Sequence, residues 1–304
     1  MKKFLFTSSV LMLLISCNTV NKKGAGKSAG KENITFLQIN PKPFVTNLDK
    51  ELDENSGIIF FDSLLWTFND SGGKDKIYGF NFKGEIEKEI EIKDAKNDDW
   101  EDIAQDEKHI YIGDFGNNSG TRKNQKIYKI KKKNIGKKSK QKIDAKEIKF
   151  DFENQSNYNF QGKNTPFDCE AMIEFKGNLY IFTKDWFDRT TTVYKIPTKK
   201  GDYKILPIEK FNVTGLITGA DVSPDKTKLA LVGYKNYKPI LWLFSDISTE
   251  TFFSGPKTYI EMDSIFDAQT EGVCFLGNDS LLISCEQNAS FNEQVFLIEL
   301  NKIK

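Results

Sequence analysis

The chain is short of the residues that most catalytic and metal signatures need. It has one histidine and four cysteines among 304 residues. The single histidine, His109, excludes a histidine-rich zinc site and weighs against a Ser-His-Asp triad. Setting Cys17 aside leaves Cys169, Cys274 and Cys285, an odd set that makes no disulfide framework and reads as buried thiols. No apolar run is long enough for an ordinary membrane-spanning helix; Phe4 to Ile15 falls well short.

What is present at the N-terminus is a leader. Lys2 and Lys3 precede that apolar run, which ends in Leu14-Ile15-Ser16-Cys17, a lipoprotein box. Residues 1–16 are therefore expected to be a lipoprotein signal peptide, with Cys17 acylated and tethered to a membrane without spanning it. Residues 17–33, polar and rich in Gly, Ser and Lys, read as a flexible tether with a reach of roughly 20 Å. Asn18 after the lipidated cysteine points to the outer membrane of the cell envelope. An exported chain is not expected to meet nucleic acid.

The remaining body, residues 34–304, is long enough for one large all-β domain. It carries a formal charge of −4, although Arg122 to Lys142 holds eleven basic residues and no acid, so the rest of the body sums to −15.

Internal repetition organises that body. Apolar-aromatic quartets recur at Ile77–Phe80, Ile127–Ile130, Val193–Ile196, Leu241–Phe244 and Val295–Ile298, their aromatic positions 50, 66, 48 and 54 residues apart. Each quartet is preceded by two further β-rich runs. Four are followed by another, at residues 85–92, 146–152, 203–211 and 257–262. Units of about 50 residues with Gly/Asn/Asp turns predict four-stranded blades of a β-propeller. The count is five; the long second unit leaves room for a sixth, its lysine run and residues 154–168 being read as loops. ITFLQI (34–39), unpaired before the first unit, is expected to complete the last blade and close the ring, which spares both sheets an open edge. A β-sandwich would not predict a repeat in phase.

The repeat interprets the acidic stretch Asp94 to Glu107, in which seven of fourteen residues are acidic. WEDIA opens the innermost strand of blade 2. Glu101, Glu170 and Glu271 align across blades, with Ala220 at that place in blade 4. The ends of the second strands align as Asp70, Asp114, Asp185, Tyr234 and Glu286. An innermost strand starts where its hairpin partner ends, so both sets are expected on one rim around the axis. Three outcomes stay open for such a ring: capping of backbone N–H groups, ligation of a hard cation such as Ca²⁺ or Mg²⁺, or shared protons. His109 lies at the other end of its strand and offers that rim no base.

Two features sit beside the ring. Trp186, Phe187 and Phe291 follow strand ends near the carboxylates, so Asp185, Trp186 and Glu286 are candidates for a ligand mouth. The lysine run reads either as a contact for anionic headgroups or polyanions, or as a solvated connection.

The stretches SGIIFFDSLLWTFNDSGGKDKIYGF, NDDWEDIAQDEKHIYIGDFGNN, DCEAMIEFKGNLYIFTKD and EGVCFLGNDSLLISCE resemble a family of exported bacterial β-propellers and, more weakly, the SdiA-regulated and esterase-like phytase propellers. That resemblance implies divalent cations at axial acids, here Glu101, Asp102, Glu170 and Glu271 with Asp70 and Asp114. Two functions follow as expectations. One is a lipid-anchored binding or scaffold module for a protein, glycan or small molecule. The other is a metal-dependent hydrolase of phosphoesters, lactones or sugars, with Asp102 or Asp185 as base.

Overall fold

The computed structural model describes residues 34–303 except 71, 164 and 248–250. The expected leader, Cys17 and the expected tether lie outside the described residues. Strands of the described residues fall into five sheets arranged as a five-bladed propeller. Blade 1 is Asn55–Phe61, Leu64–Asn69, Lys76–Phe80 and Ile86–Lys93; blade 2 is Trp100–Gln105, His109–Asp114, Lys126–Lys131 and Lys146–Phe152. Blade 3 is Cys169–Phe175, Asn178–Thr183, Thr191–Pro197 and Pro207–Phe211; blade 4 is Leu216–Val222, Lys228–Lys235, Lys238–Ser245 and Lys257–Glu261. Blade 5 contributes Thr270–Gly277, Ser280–Cys285 and Gln294–Glu299.

An N-terminal strand closes the ring, but it is Lys42–Val45, antiparallel to Gln294–Glu299. The expected strand, Ile34–Gln38, instead runs parallel to Lys257–Glu261 as a fifth strand on blade 4. The same device appears twice more. Lys140–Asp144 extends blade 1 in parallel, and Gly201–Ile205 extends blade 2. In each case the segment just before a blade's fourth strand reaches back to cover the preceding blade's outer edge. The end of the lysine run and the start of residues 203–211 are thus strand rather than loop or fourth strand, because an exposed edge supplies free backbone partners.

Burial follows position in the blade. The inner strand Cys169–Phe175 is buried throughout, since neighbouring blades cover both its faces. The outer strand Lys146–Phe152 alternates, with Ile148, Phe150 and Phe152 turned inward. Five apolar clusters result, one for each blade interface. Between blades 3 and 4, Phe211 stands edge-on to Trp242 with ring centroids 5.0 Å apart. Burying one such ring stabilises the fold by about 2–3 kcal/mol, so the sum over five interfaces sets the ring's geometry.

Candidate functional site

Each innermost strand breaks register with its partner near the same rim. The pairing skips Glu101 in blade 2, Glu170 in blade 3, Thr218 in blade 4 and Glu271 in blade 5. In blade 1 the skip falls between Ser56 and Ile59. A bulge of this kind re-aims the extra side chain, which is how three glutamates from three blades are placed at equivalent positions. The register also corrects the alignment of blade 4, where Thr218 rather than Ala220 holds the glutamate position.

The second-strand set is corrected as well. Thr183, Gly233 and Cys285 pair opposite Cys169, Ile217 and Thr270. The residues that follow them are Lys184, Tyr234 and Glu286; Asp114, opposite Trp100, is the equivalent of Thr183, so Phe115 rather than Asp114 follows at that rim position in blade 2. Lys184, unread in the sequence, therefore occupies the rim position assigned to Asp185. Its Nζ lies 3.1 Å from Glu170 Oε2, with the two side chains 7% and 3% exposed. Burial pulls the Lys184 ammonium down, but Glu170 together with Tyr234, Glu271 and Asp168 outweighs it and holds the group well above the usual lysine range.

Most candidate acids have partners that account for them. Asp102 is buried and accepts from Ile103 N at 2.8 Å, Met172 N at 2.7 Å and Ala220 N at 3.3 Å. Asp114 pairs with Arg122 and, at 3.1 Å, with Lys126. Asp185 accepts from Phe187 N and Asp188 N, each at 3.0 Å, and from Thr190 Oγ1. Glu286 accepts from Gln269 Nε2 at 2.7 Å. Trp186 donates its ring N–H to Asp168 Oδ2 at 2.8 Å, so that indole braces the rim; Phe187 projects into solvent. For these residues, capping and ion pairing describe the chemistry.

One group is different. Asp70, Asp99 and Glu101 each place a carboxylate oxygen so that the three lie within 4.8 Å of one another. Neither the Asp99 nor the Glu101 carboxylate accepts a hydrogen bond from a described residue. Burial, then Asp70, raises Asp99 to about 7. Burial, then Glu170, holds Glu101 well above the usual carboxylate range. Glu170 has one buried oxygen, Oε1, without a hydrogen-bond partner among the described residues. Burial raises Glu271 to about 7, and burial with Glu271 raises Glu286 to about 9. Gly116 backs the group so closely that a Cβ there would land on Glu101 Oε1 and Asp99 Oδ2. One buried and two half-buried carboxylates converging from two blades are an all-oxygen donor set of the kind that calcium takes.

Asp99 had a legible signal. Asp99-Trp100-Glu101 and Asp168-Cys169-Glu170 repeat an Asp-x-Glu step that Gln269-Thr270-Glu271 echoes. The cysteines offer no nucleophile: burial pushes Cys169 and Cys274 well up and Cys285 to about 12.

Beside the rim a cavity of about 440 Å³ is lined by Lys163, Tyr234, Tyr237, Asp267, Gln269 and Asn288 among others. Asn236 and Tyr237 adopt φ of 51° and 66°, the left-handed geometry of a tight hairpin turn. That turn leaves Tyr237 72% exposed at the cavity mouth.

No protein-family model and no curated protein matches the chain. Solved structures similar to it include the PQQ-bound aldose sugar dehydrogenase of Streptomyces coelicolor, at 10% identity and TM-score 0.49, covering 85% of this chain and 96% of that one. A glucose dehydrogenase is similar at 8% identity and TM-score 0.49, over 84% of this chain and 99% of its own. A protein named as exported from Bacteroides fragilis is similar at 10% identity and TM-score 0.44, over 88% and 99%. Likenesses at this level carry no argument about chemistry, and the ring rests on the strand pairing described above.

Proposed function

We propose that the rim binds a divalent cation, calcium best matching the donors, and that the cation and the adjoining cavity together receive a small polar ligand such as a glycan. The chain is then a binding module, anchored in the cell envelope through Cys17, most simply at the outer membrane. The observation that carries this reading is the set Asp70, Asp99 and Glu101, in which two carboxylates are left without donors by a scaffold that satisfies their neighbours. Tyr234 and Tyr237 supply ring faces, and Gln269, Asn288 and Asp267 supply groups for hydroxyls, the mixture a sugar site needs. No helix of the described residues is long and apolar enough to cross a membrane.

A metal-dependent hydrolase is the second reading. It draws on Glu286, held protonated at neutral pH beside the cation site and so able to donate to a leaving group. Both bases foreseen for it, Asp102 and Asp185, are committed to backbone amides, which favours the binding module.

Thermal melts test both. At calcium a hundredfold above its dissociation constant the gain is about 2.7 kcal/mol, a rise in Tm of about 5–10 °C over EDTA. Glu101→Gln and Gly116→Ala should fold and lose the rise. A rise without turnover of phosphodiester, lactone or glycoside substrates supports the binding module. A rise with turnover supports the hydrolase, and no rise removes both.

The calcium response should also depend on pH. Asp99, raised to about 7, must lose its proton to ligate, so binding releases a proton while the pH lies below that value. The calcium-induced rise in Tm should be small at acidic pH and grow as pH climbs through 7, since Glu101, also raised, must lose its proton to ligate. Melts at stepped pH check this; a rise that shrinks with increasing pH contradicts the assignment of Asp99.

A further inference from the structure

A second cavity, of about 480 Å³, opens on the opposite side of the ring, at the end of blade 2's second strand that carries His109. Its lining includes His109, Lys129, Lys131, Lys146, Lys199 and Lys200. Lys129 and Lys146 are direct cross-strand partners, and so are His109 and Lys131. Like charges directly opposite one another destabilise a sheet. Blade 3 adds to the charge by bringing the Thr198–Lys200 turn against this edge, held by Lys129 Nζ donating to Thr198 O at 2.9 Å.

Little in the neighbourhood offsets it. Lys131, Lys146, Lys199 and Lys200 form no ion pair with a described residue. The one acid in the lining, Asp144, is 84% exposed at its side chain and sits 3.5 Å from Lys93. The next acids are engaged as well: Asp106 by the Tyr111 hydroxyl at 2.6 Å and His109 Nδ1 at 3.0 Å, and Glu174 by Gly177 N at 2.7 Å and Lys226 at 3.6 Å. Elsewhere on the same basic run the pairing is ordinary, as in Lys140 with Glu89 and Lys142 with Glu91, each at 2.6 Å. What sets the cavity apart is convergence: Lys129, Lys131 and Lys146 of blade 2 meet Lys199 and Lys200 of the blade 3 turn around one concave space.

We infer that this cavity binds a multiply charged phosphate group, carried either by a soluble polyphosphate or by a phosphorylated lipid headgroup. Ammonium groups on flexible stems recognise phosphate as point charges, and the cavity is large enough for two or three phosphoryl groups. The bound anion would relieve the Lys129–Lys146 repulsion, so the site trades stability of the free protein for affinity.

The test titrates the full chain with tripolyphosphate by calorimetry at low and moderate salt, and sediments it with phosphatidic acid or phosphatidylcholine vesicles. The wild type should bind tripolyphosphate, with affinity falling as salt rises. The triple variant Lys146→Gln, Lys199→Gln, Lys200→Gln should bind at least tenfold more weakly while melting no lower than the wild type. A control variant outside the cavity, Lys137→Gln with Lys138→Gln, should bind as the wild type does. Capture by phosphatidic acid vesicles but not by phosphatidylcholine vesicles, competed by tripolyphosphate, identifies a headgroup as the source. Binding of tripolyphosphate without vesicle capture identifies a soluble one. No binding of either, undiminished binding by the triple variant, or equal loss in the control overturns the inference.

Discussion

Asp102→Ala should lower the stability of the propeller by about 4 kcal/mol, from about 1–3 kcal/mol for each buried group left without a partner. The side chain is 1% exposed and accepts N–H groups from Ile103 in blade 2, Met172 in blade 3 and Ala220 in blade 4. It thereby joins inner strands of three blades, one of them not its neighbour around the ring. Burial pushes this carboxyl well up, against three amides that favour the anion. Gly57 of blade 1 closes the fourth side, where a Cβ would come within 2.9 Å of Asp102 Oδ1. Removing the carboxyl strands three amides in an axial space that water enters poorly. Asp102→Asn keeps one acceptor oxygen and should recover part of the loss. Urea unfolding checks this through a lower midpoint at unchanged slope. A Cβ-truncated variant within about 1 kcal/mol of the wild type would show that the amides find other partners.

Lys184→Met should cost about 3–5 kcal/mol at neutral pH, because it leaves Glu170 buried without its counter-charge. The loss should depend on pH with a definite sign. Burial already raises Glu170, and Lys184 opposes that rise. Without the lysine the folded-state pKa climbs further above the unfolded value. A carboxyl raised in this way leaves stability intact below its unfolded pKa and withdraws it as pH rises toward the folded one. The variant should therefore lie close to the wild type under acidic conditions and fall away from it toward pH 8. Adding Glu170→Gln should restore most of the loss. A deficit independent of pH, or no rescue in the double variant, would mean that Lys184 acts through packing against Trp186 and Tyr234 alone, whose ring centroids lie 4.9 Å and 5.7 Å from its Nζ.

The ring was legible because its evidence is periodic. The aromatic quartets are third strands of blades, and third strands are wedged between two interfaces whatever the loops do. The glutamates were legible for the same reason, since Glu101, Glu170 and Glu271 each stand second in the innermost strand of their blade. Lys184 was hidden by residue type. Asp185 aligns with Asp70 as a letter, but Thr183 pairs opposite Cys169 as Asn69 pairs opposite Asn55, so the rim position falls on the lysine before Asp185. Only strand pairing reveals that shift. Thr218 was displaced to Ala220 by the same cause. The parallel additions, Ile34–Gln38, Lys140–Asp144 and Gly201–Ile205, were not legible as such. A half-buried strand shows alternation, but alternation says nothing about which blade offers the open edge. Asp99 could have been found, because its Asp-x-Glu step recurs one blade further on.

The central claim is that Asp70, Asp99 and Glu101 hold a cation. Crystals grown with calcium and, separately, with manganese test it directly, since manganese marks its own position by anomalous scattering. The account predicts one strong peak bounded by these three carboxylates, with calcium–oxygen distances of about 2.3–2.6 Å, and loss of that peak in Glu101→Gln. A rim with only solvent between the three side chains, or a metal held elsewhere on the ring, would contradict it.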